Sequence, residues 1–280
     1  MIRIGIICPS EIANRRFLPA LNQLPNFKFI GVAYANKLEW ENATKEIIDN
    51  ERSKAQQIID QYGGKIFDSY TNLIESDKID AVYLPLPPAL HFKWAKLALQ
   101  SGKHVLIEIP MADTLKDSAR VVKKHRETGL TCMAGQVRRF NPSHQWIKNK
   151  IDAGELKLQQ MDAQTYFFRR TNTNAKGEPR SWTDHLLWHH ACHTVDLFQY
   201  QTGGKLVQAY GLQGPLHPEL EIAMDMSIGL KAEDGAICTL SLSFNNDGPF
   251  GTFFRYICDN GTFIARYDDL FDGNNNQIDL

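Results

Sequence analysis

Three histidines and an aspartate stand at helical spacing in the second half of the chain. His185, His189 and His193 follow one another every four residues, and Asp196 and Tyr200 continue the stripe at three and four. On a helix these side chains share one face. Imidazole titrates near neutral pH, so such a face can take a proton from a hydroxyl. His193 is the expected base, with His189 orienting it or binding the hydroxyl and Asp196 fixing its tautomer. His185 is expected on the substrate, whereas His190 points off the stripe. Spacings of four also suit metal ligation, but no HExxH pattern accompanies them, and no metal is expected. A second group is basic: Arg138, Arg139, Arg169, Arg170 and Arg180. Guanidinium forks match carboxylates, so a carboxylated substrate would call on Arg139, Arg169 and Arg180.

These residues need a scaffold, and the chain supplies two rhythms. Up to about Gly135, short β-branched runs (IRIGII, FKFIGVAYA, AVYLPLP, HVLIEIP, LTCMAG) alternate with helical stretches. That alternation predicts right-handed crossovers and a parallel sheet covered on both faces, with ligands at the carboxyl ends of its strands. Beyond Asn141 one long helix is expected, from about Asp184 to Tyr200. Strands of period two follow it: Met224, Met226, Ile228 and Leu230 on one face, then Cys238, Leu240, Leu242 and Phe244. Turns at Ala232 to Gly235 and at Asp259-Asn260-Gly261 make these hairpins. The expected fold is an α/β protein with a Rossmann-type parallel sheet over residues 1–136. An α+β domain with a large, mainly antiparallel open sheet then covers 137–280.

A phosphate-binding turn is expected after the first strand. In its usual form it is G-x-G-x-x-G opening a helix. Here Cys8, Ser10 and Ala13 occupy the three glycine positions. All are small, Ala13 still permits close helix packing, and Ser10 offers a hydroxyl. After the second strand stands Ala35-Asn36-Lys37, without the acid that would hold a ribose diol. Asn36 and Lys37 therefore point to a 2′-phosphate, and to NADP over NAD as the cofactor.

Composition narrows the function classes. With 43% hydrophobic and 22% charged residues the 280-residue chain belongs with packed globular proteins. A net charge of −1 gives no field to draw nucleic acid or anionic lipid. No apolar run reaches the roughly 18 residues of a membrane span, and the start MIRIGIICPS has no secretory pattern. Five scattered cysteines without a CxxC read as reduced thiols, and a cytoplasmic location is expected.

Three stretches carry a family likeness: AVYLPLPPALHFKWAKLALQSGKHVLIEIP, the strand end at Glu108-Ile109-Pro110, and HHACHTVDL. They resemble the Gfo/Idh/MocA family of NAD(P)-dependent oxidoreductases. The resemblance implies hydride transfer between a nicotinamide and a hydroxyl or hemiacetal carbon of a small substrate. It places Pro85, Pro87, His91, Glu108 and Pro110 around the cofactor, with Arg138 and Trp182 also assigned there. The family's E-K-P motif has Ile109 in place of its lysine here, and its D-x-x-x-H aspartate is replaced by His189, leaving His193 as the histidine. From about Gly129 to Leu270 the likeness narrows to a branch acting on carboxylated hemiacetals, while the first strands look closer to sugar and cyclitol dehydrogenases. A non-catalytic relative with an altered cofactor loop is the other alternative. The resemblance also implies a homodimer or homotetramer built through the C-terminal sheet. Family chains usually run on into further helices after that sheet, where this sequence ends at Leu280.

Overall fold

A computed structural model describes residues 1–41, 43–171, 173, 185–248 and 251–280. The chain forms two compact units, Met1–Gly135 and Gln136–Leu280.

The first unit is a parallel sheet of β1 (Ile2–Ile7), β2 (Phe27–Ala33), β3 (Lys65–Phe67), β4 (Ala81–Leu84), β5 (His104–Ile107) and β6 (Cys132–Ala134). The strand order is β3-β2-β1-β4-β5-β6, the doubly wound order that opens a crevice where the winding reverses, between β1 and β4. Both faces are covered. α1 (Leu18–Leu21), α2 (Lys45–Tyr62), α3 (Tyr70–Ile74), α4 (Pro88–Gln100) and α5 (Leu115–Thr128) supply the helices. Three of them start on side-chain caps, in which Thr44, Ser69 and Thr114 accept from the amides of Ile47, Asn72 and Asp117. β3 and α3 carry too few residues to show a period, and the sequence does not announce them. Their place is fixed by β2, where Gly31 lets the Lys65 backbone approach. A Cβ at Gly31 would lie 2.1 Å from the Lys65 carbonyl oxygen.

The second unit is a sheet ordered β14-β13-β12-β11-β7-β10-β9-β8. Its strands are β7 (Leu158–Tyr166), β8 (Leu206–Gln213), β9 (Asp225–Ala232), β10 (Ile237–Ser243), β11 (Gly251–Cys258), β12 (Gly261–Arg266), β13 (Asp269–Phe271) and β14 (Gln277–Ile278). Every pair is antiparallel except β7 with β10. The alternation read from the sequence is real: Met224, Ile228 and Leu230 are buried, as are Cys238, Leu240, Leu242 and Phe244. They pack with Phe198, Phe254 and Tyr256 beneath α6 (Pro142–Asp152) and α7 (Cys192–Thr202). The sequence gives no sign of α6, whose apolar stripe is short, nor of β7 and β8.

The expected single helix from Asp184 is corrected. It is a π-helix, Leu186–Ala191, that tightens into α7. A π-turn has a longer period than an α-turn, so the spacing of four does not keep His185, His189 and His193 in one line. A second π-helix, Ala13–Phe17, precedes α1. Such turns concentrate at functional sites, and here each overlaps one of the two stretches that the sequence marks for chemistry.

Candidate active site

In the first unit the candidate residues gather at the carboxyl ends of β1, β2, β4 and β5. Cys8 leaves β1 with φ +78°, the left-handed conformation that a glycine would normally supply. Its amide donates to Ala33, and the Ser10 amide returns to the Cys8 carbonyl at 2.9 Å. Ser10 Oγ accepts from the Ala13 amide at 3.2 Å, so this hydroxyl opens the helix and keeps its own hydrogen to donate. Ala13 is fully buried, which gives the close packing expected of it. The turn thus has the shape of a phosphate loop without its glycines.

After β2, Asn36 Oδ1 accepts from the amides of Leu38 and Glu39, forming an Asx turn. Lys37 Nζ donates to the Ala43 carbonyl at 2.7 Å. Glu39, the acid nearest in sequence, is turned to the start of α3, where it takes the Tyr70 and Thr71 amides.

His91 requires a correction. It is fully buried, with Nδ1 2.7 Å from the Pro110 carbonyl and Nε2 2.8 Å from that of Leu86. One ring nitrogen faces each loop, and the single N–H of the neutral ring donates to one of the two carbonyls, so fully buried His91 packs between the β4 and β5 loops and shapes the crevice rather than facing a cofactor. Burial lowers its pKa. Pro87 caps α4 and Pro85 precedes it in the same loop. Glu108 accepts a 2.5 Å bond from the Tyr83 hydroxyl, and the Ile109–Pro110 peptide is cis. Two buried acceptors, Asn14 Oδ1 in the π-helix after β1 and Asp113 Oδ1 after β5, have no hydrogen-bond partner among the described residues. Burial raises the Asp113 pKa. Orphaned acceptors at this end of the sheet fit the hydroxyl and amide donors of a dinucleotide. Neither residue stands out in the sequence.

In the second unit, His193 Nδ1 lies 3.0 Å from Gln136 Oε1. With the amide oxygen facing the ring, Nδ1 donates and Nε2 is left as the proton acceptor. The His193 pKa is lowered to about 4, by burial first and then by the charges of Arg138 and His189. Gln136 is the residue that sequence reading missed. It follows the last strand of the parallel sheet directly, and only proximity reveals its role.

Asp196 is corrected. It does not hold the His193 ring but forks with Arg139, at 2.6 Å from Nε and 2.5 Å from Nη2. The same fork occupies Arg139, which also lies over Tyr200 and therefore does not stand ready for a substrate. Arg169 Nε donates to the Thr171 carbonyl, and Arg170 to the carbonyls of Arg169 and Phe244. His185 Nδ1 accepts from the Leu187 amide, capping the π-helix. His189 neighbours His190, whose ring packs against Phe167 and Phe244. Arg180 and Trp182 lie outside the described residues.

Arg138 stands apart. Its guanidinium lies 4.9 Å over the Phe254 ring and has no ion pair or hydrogen bond among the described residues. Behind it, buried His144 shares a 2.8 Å bond with the Tyr256 hydroxyl. The His144 pKa is lowered to about 3 by burial and by the Arg138 charge. Among the described residues, no group of three or more His, Cys, Asp or Glu is placed to hold a metal ion. No helix there is long and apolar enough to cross a membrane.

Comparison with known proteins agrees with this architecture. Residues 2–136 match the Gfo/Idh/MocA oxidoreductase family's NAD-binding Rossmann fold, and 142–280 match the C-terminal domain of bacterial oxidoreductases. The 4-carboxy-2-hydroxymuconate-6-semialdehyde dehydrogenase of Sphingobium sp. strain SYK-6 is 63% identical over 237 residues, 84% of this chain and 74% of that enzyme. The likeness to a single member thus runs well beyond the half of the chain expected from sequence. The dTDP-3,4-didehydro-2,6-dideoxy-alpha-D-glucose 3-reductase of Actinomadura kijaniata is 33% identical over 155 residues, 55% of this chain and 42% of that one. The solved structure of UDP-N-acetylglucosamine 3-dehydrogenase GnnA from Acidithiobacillus ferrooxidans shares the fold. Its TM-score is 0.79 at 19% identity, covering 100% of this chain and 83% of that one. The chain belongs to the Gfo/Idh/MocA family of oxidoreductases.

Proposed function

We propose that the chain oxidises a hydroxyl or hemiacetal carbon of a small carboxylated substrate, 4-carboxy-2-hydroxymuconate-6-semialdehyde in its cyclic form, to 2-pyrone-4,6-dicarboxylate. The likeness to the Sphingobium enzyme carries this reading. The cofactor supplies a nicotinamide that accepts the hydride. The first unit holds it: Cys8, Ser10 and Ala13 shape the turn for its phosphates, Glu108 and Pro110 close the far side, and Asn14 and Asp113 offer acceptors. His193 Nε2 takes the hydroxyl proton as the carbon gives up its hydride, so the hemiacetal loses two electrons and two hydrogens and becomes a lactone. Gln136 keeps the proton on Nδ1 during this step, and His189 stands by to bind the hydroxyl.

Lys37 supports NADP over NAD. It places an ammonium at the end of β2, and the neighbouring acid Glu39 is occupied with α3. The open sheet supports self-association: Val207, Tyr210 and Leu212 on edge strand β8 are all well exposed. Purified protein is expected to form NADPH from NADP and the semialdehyde, more slowly with NAD. Failure to reduce either coenzyme overturns the reading. A sugar or cyclitol dehydrogenase is the second reading, favoured by the reductases matched over about half the chain. Turnover of neutral polyols in preference to the dicarboxylate decides for it.

A further inference from the structure

The four arginines that cluster by sequence in the described part of the second unit have separate fates. Arg139 is locked to Asp196, and Arg169 and Arg170 donate to backbone carbonyls. Only Arg138 has its fork unoccupied among the described residues. It is half-buried and rests over Phe254. The groups its charge acts on are Tyr256, Cys192, Tyr267, His144 and His193, none of them a carboxylate. A cation removed from water without a counter-charge is costly, and buried charges are ordinarily paired, so an anionic ligand would supply the partner that Arg138 lacks among the described residues. Its position also matters: it stands on the short turn Val137–Phe140, two residues from Gln136, which holds His193.

We propose that Arg138 is the receptor for a substrate carboxylate, binding it through the guanidinium fork over the Phe254 ring and beside the His193 base. This rests on the carboxylated-substrate reading above and replaces the assignment of Arg138 to the cofactor. A fork over an aromatic face selects a planar carboxylate, which explains how one site separates an acid from a neutral polyol of similar size.

The test uses a stable probe, pyridine-2,4-dicarboxylate, titrated into the NADP-loaded protein, with its neutral diamide as control. Wild type is expected to bind the diacid and not the diamide. Arg138→Gln is expected to weaken diacid binding about 10- to 100-fold, the scale of a charge-assisted fork, with Arg138→Lys in between. NADP affinity should hold within about twofold, and the Tm of Arg138→Gln should not fall, because an uncompensated cation is removed. Several outcomes overturn the proposal: no diacid binding by wild type, equal binding by wild type and the Gln variant, or a loss confined to NADP, which would assign Arg138 to the coenzyme's phosphates. A lowered Tm for Arg138→Gln, with wild-type diacid binding kept by Arg138→Lys, would assign it to the fold. Because the probe needs no turnover, an inactive dehydrogenase that still binds the diacid through Arg138 sinks the proposed reaction and leaves the receptor standing.

Discussion

His193 carries its hydrogen on Nδ1 because Gln136 accepts it there, and the lone pair on Nε2 follows from that single bond. Its pKa near 4 keeps the ring neutral through the physiological range. The acid limb of kcat/KM is therefore expected well below pH 6. In Arg138→Gln this limb moves upward, since removing a neighbouring cation eases protonation. Replacing His193 by Ala should lower kcat by about 10²- to 10⁴-fold, the usual worth of a general base, with NADP binding intact. Asp196→Asn makes the contrasting prediction. It breaks the Arg139 fork, so it should cost on the order of 1 kcal/mol in a denaturant titration and leave the pH profile in place. A pH profile altered by Asp196→Asn would restore Asp196 as the residue that sets the tautomer.

At the scale of elements, the β1 turn and the π-helix decide what the loops can hold. Cys8 sits at φ +78°, where a β-branched residue is strained and glycine is at ease. Cys8→Gly is expected to keep the fold and NADP binding, while Cys8→Val should lower the Tm and weaken NADP together. Equal NADP affinity in the two variants would separate the turn from the cofactor. Buried His144 and half-buried His193 act on their elements through pH. Both have pKa values lowered in the folded state, to about 3 and about 4, against an unfolded value near 6.5. As pH falls below about 6.5 the unfolded chain binds these protons first, so stability declines progressively toward pH 4. Urea midpoints measured across that window should fall with pH, and Tyr256, bonded to the neutral His144 ring, ties that loss to the sheet.

At the scale of the whole molecule, the second sheet has a face that its helices do not cover. Leu212 is 68% exposed and Tyr210 59% exposed, alternate residues on the edge strand β8, whose partner in the sheet is β9. A contiguous exposed apolar patch marks an interaction surface. Leu212→Glu is expected to reduce the mass measured by light scattering to that of one chain and leave the far-ultraviolet circular dichroism unchanged. A wild type that already runs as a monomer removes the basis for assembly through this sheet.

Sequence alone determined the periodic parts: the parallel sheet, the hairpins of Met224 to Phe244, the family, and the list that contains the proposed base. Periodicity reports which faces are buried, and burial is fixed locally by side-chain type. It did not determine partners. His91 and Asp196 have the right chemistry for a site, yet one is a strut between two carbonyls and the other an anchor for Arg139. Gln136 and Arg138 have no distinguishing spacing, and they matter because the fold sets one against His193 and leaves the other without a counter-charge. A polar group's role depends on which donor or acceptor lies within about 3 Å of it, and residues 57 positions apart come within that distance only when the chain is folded.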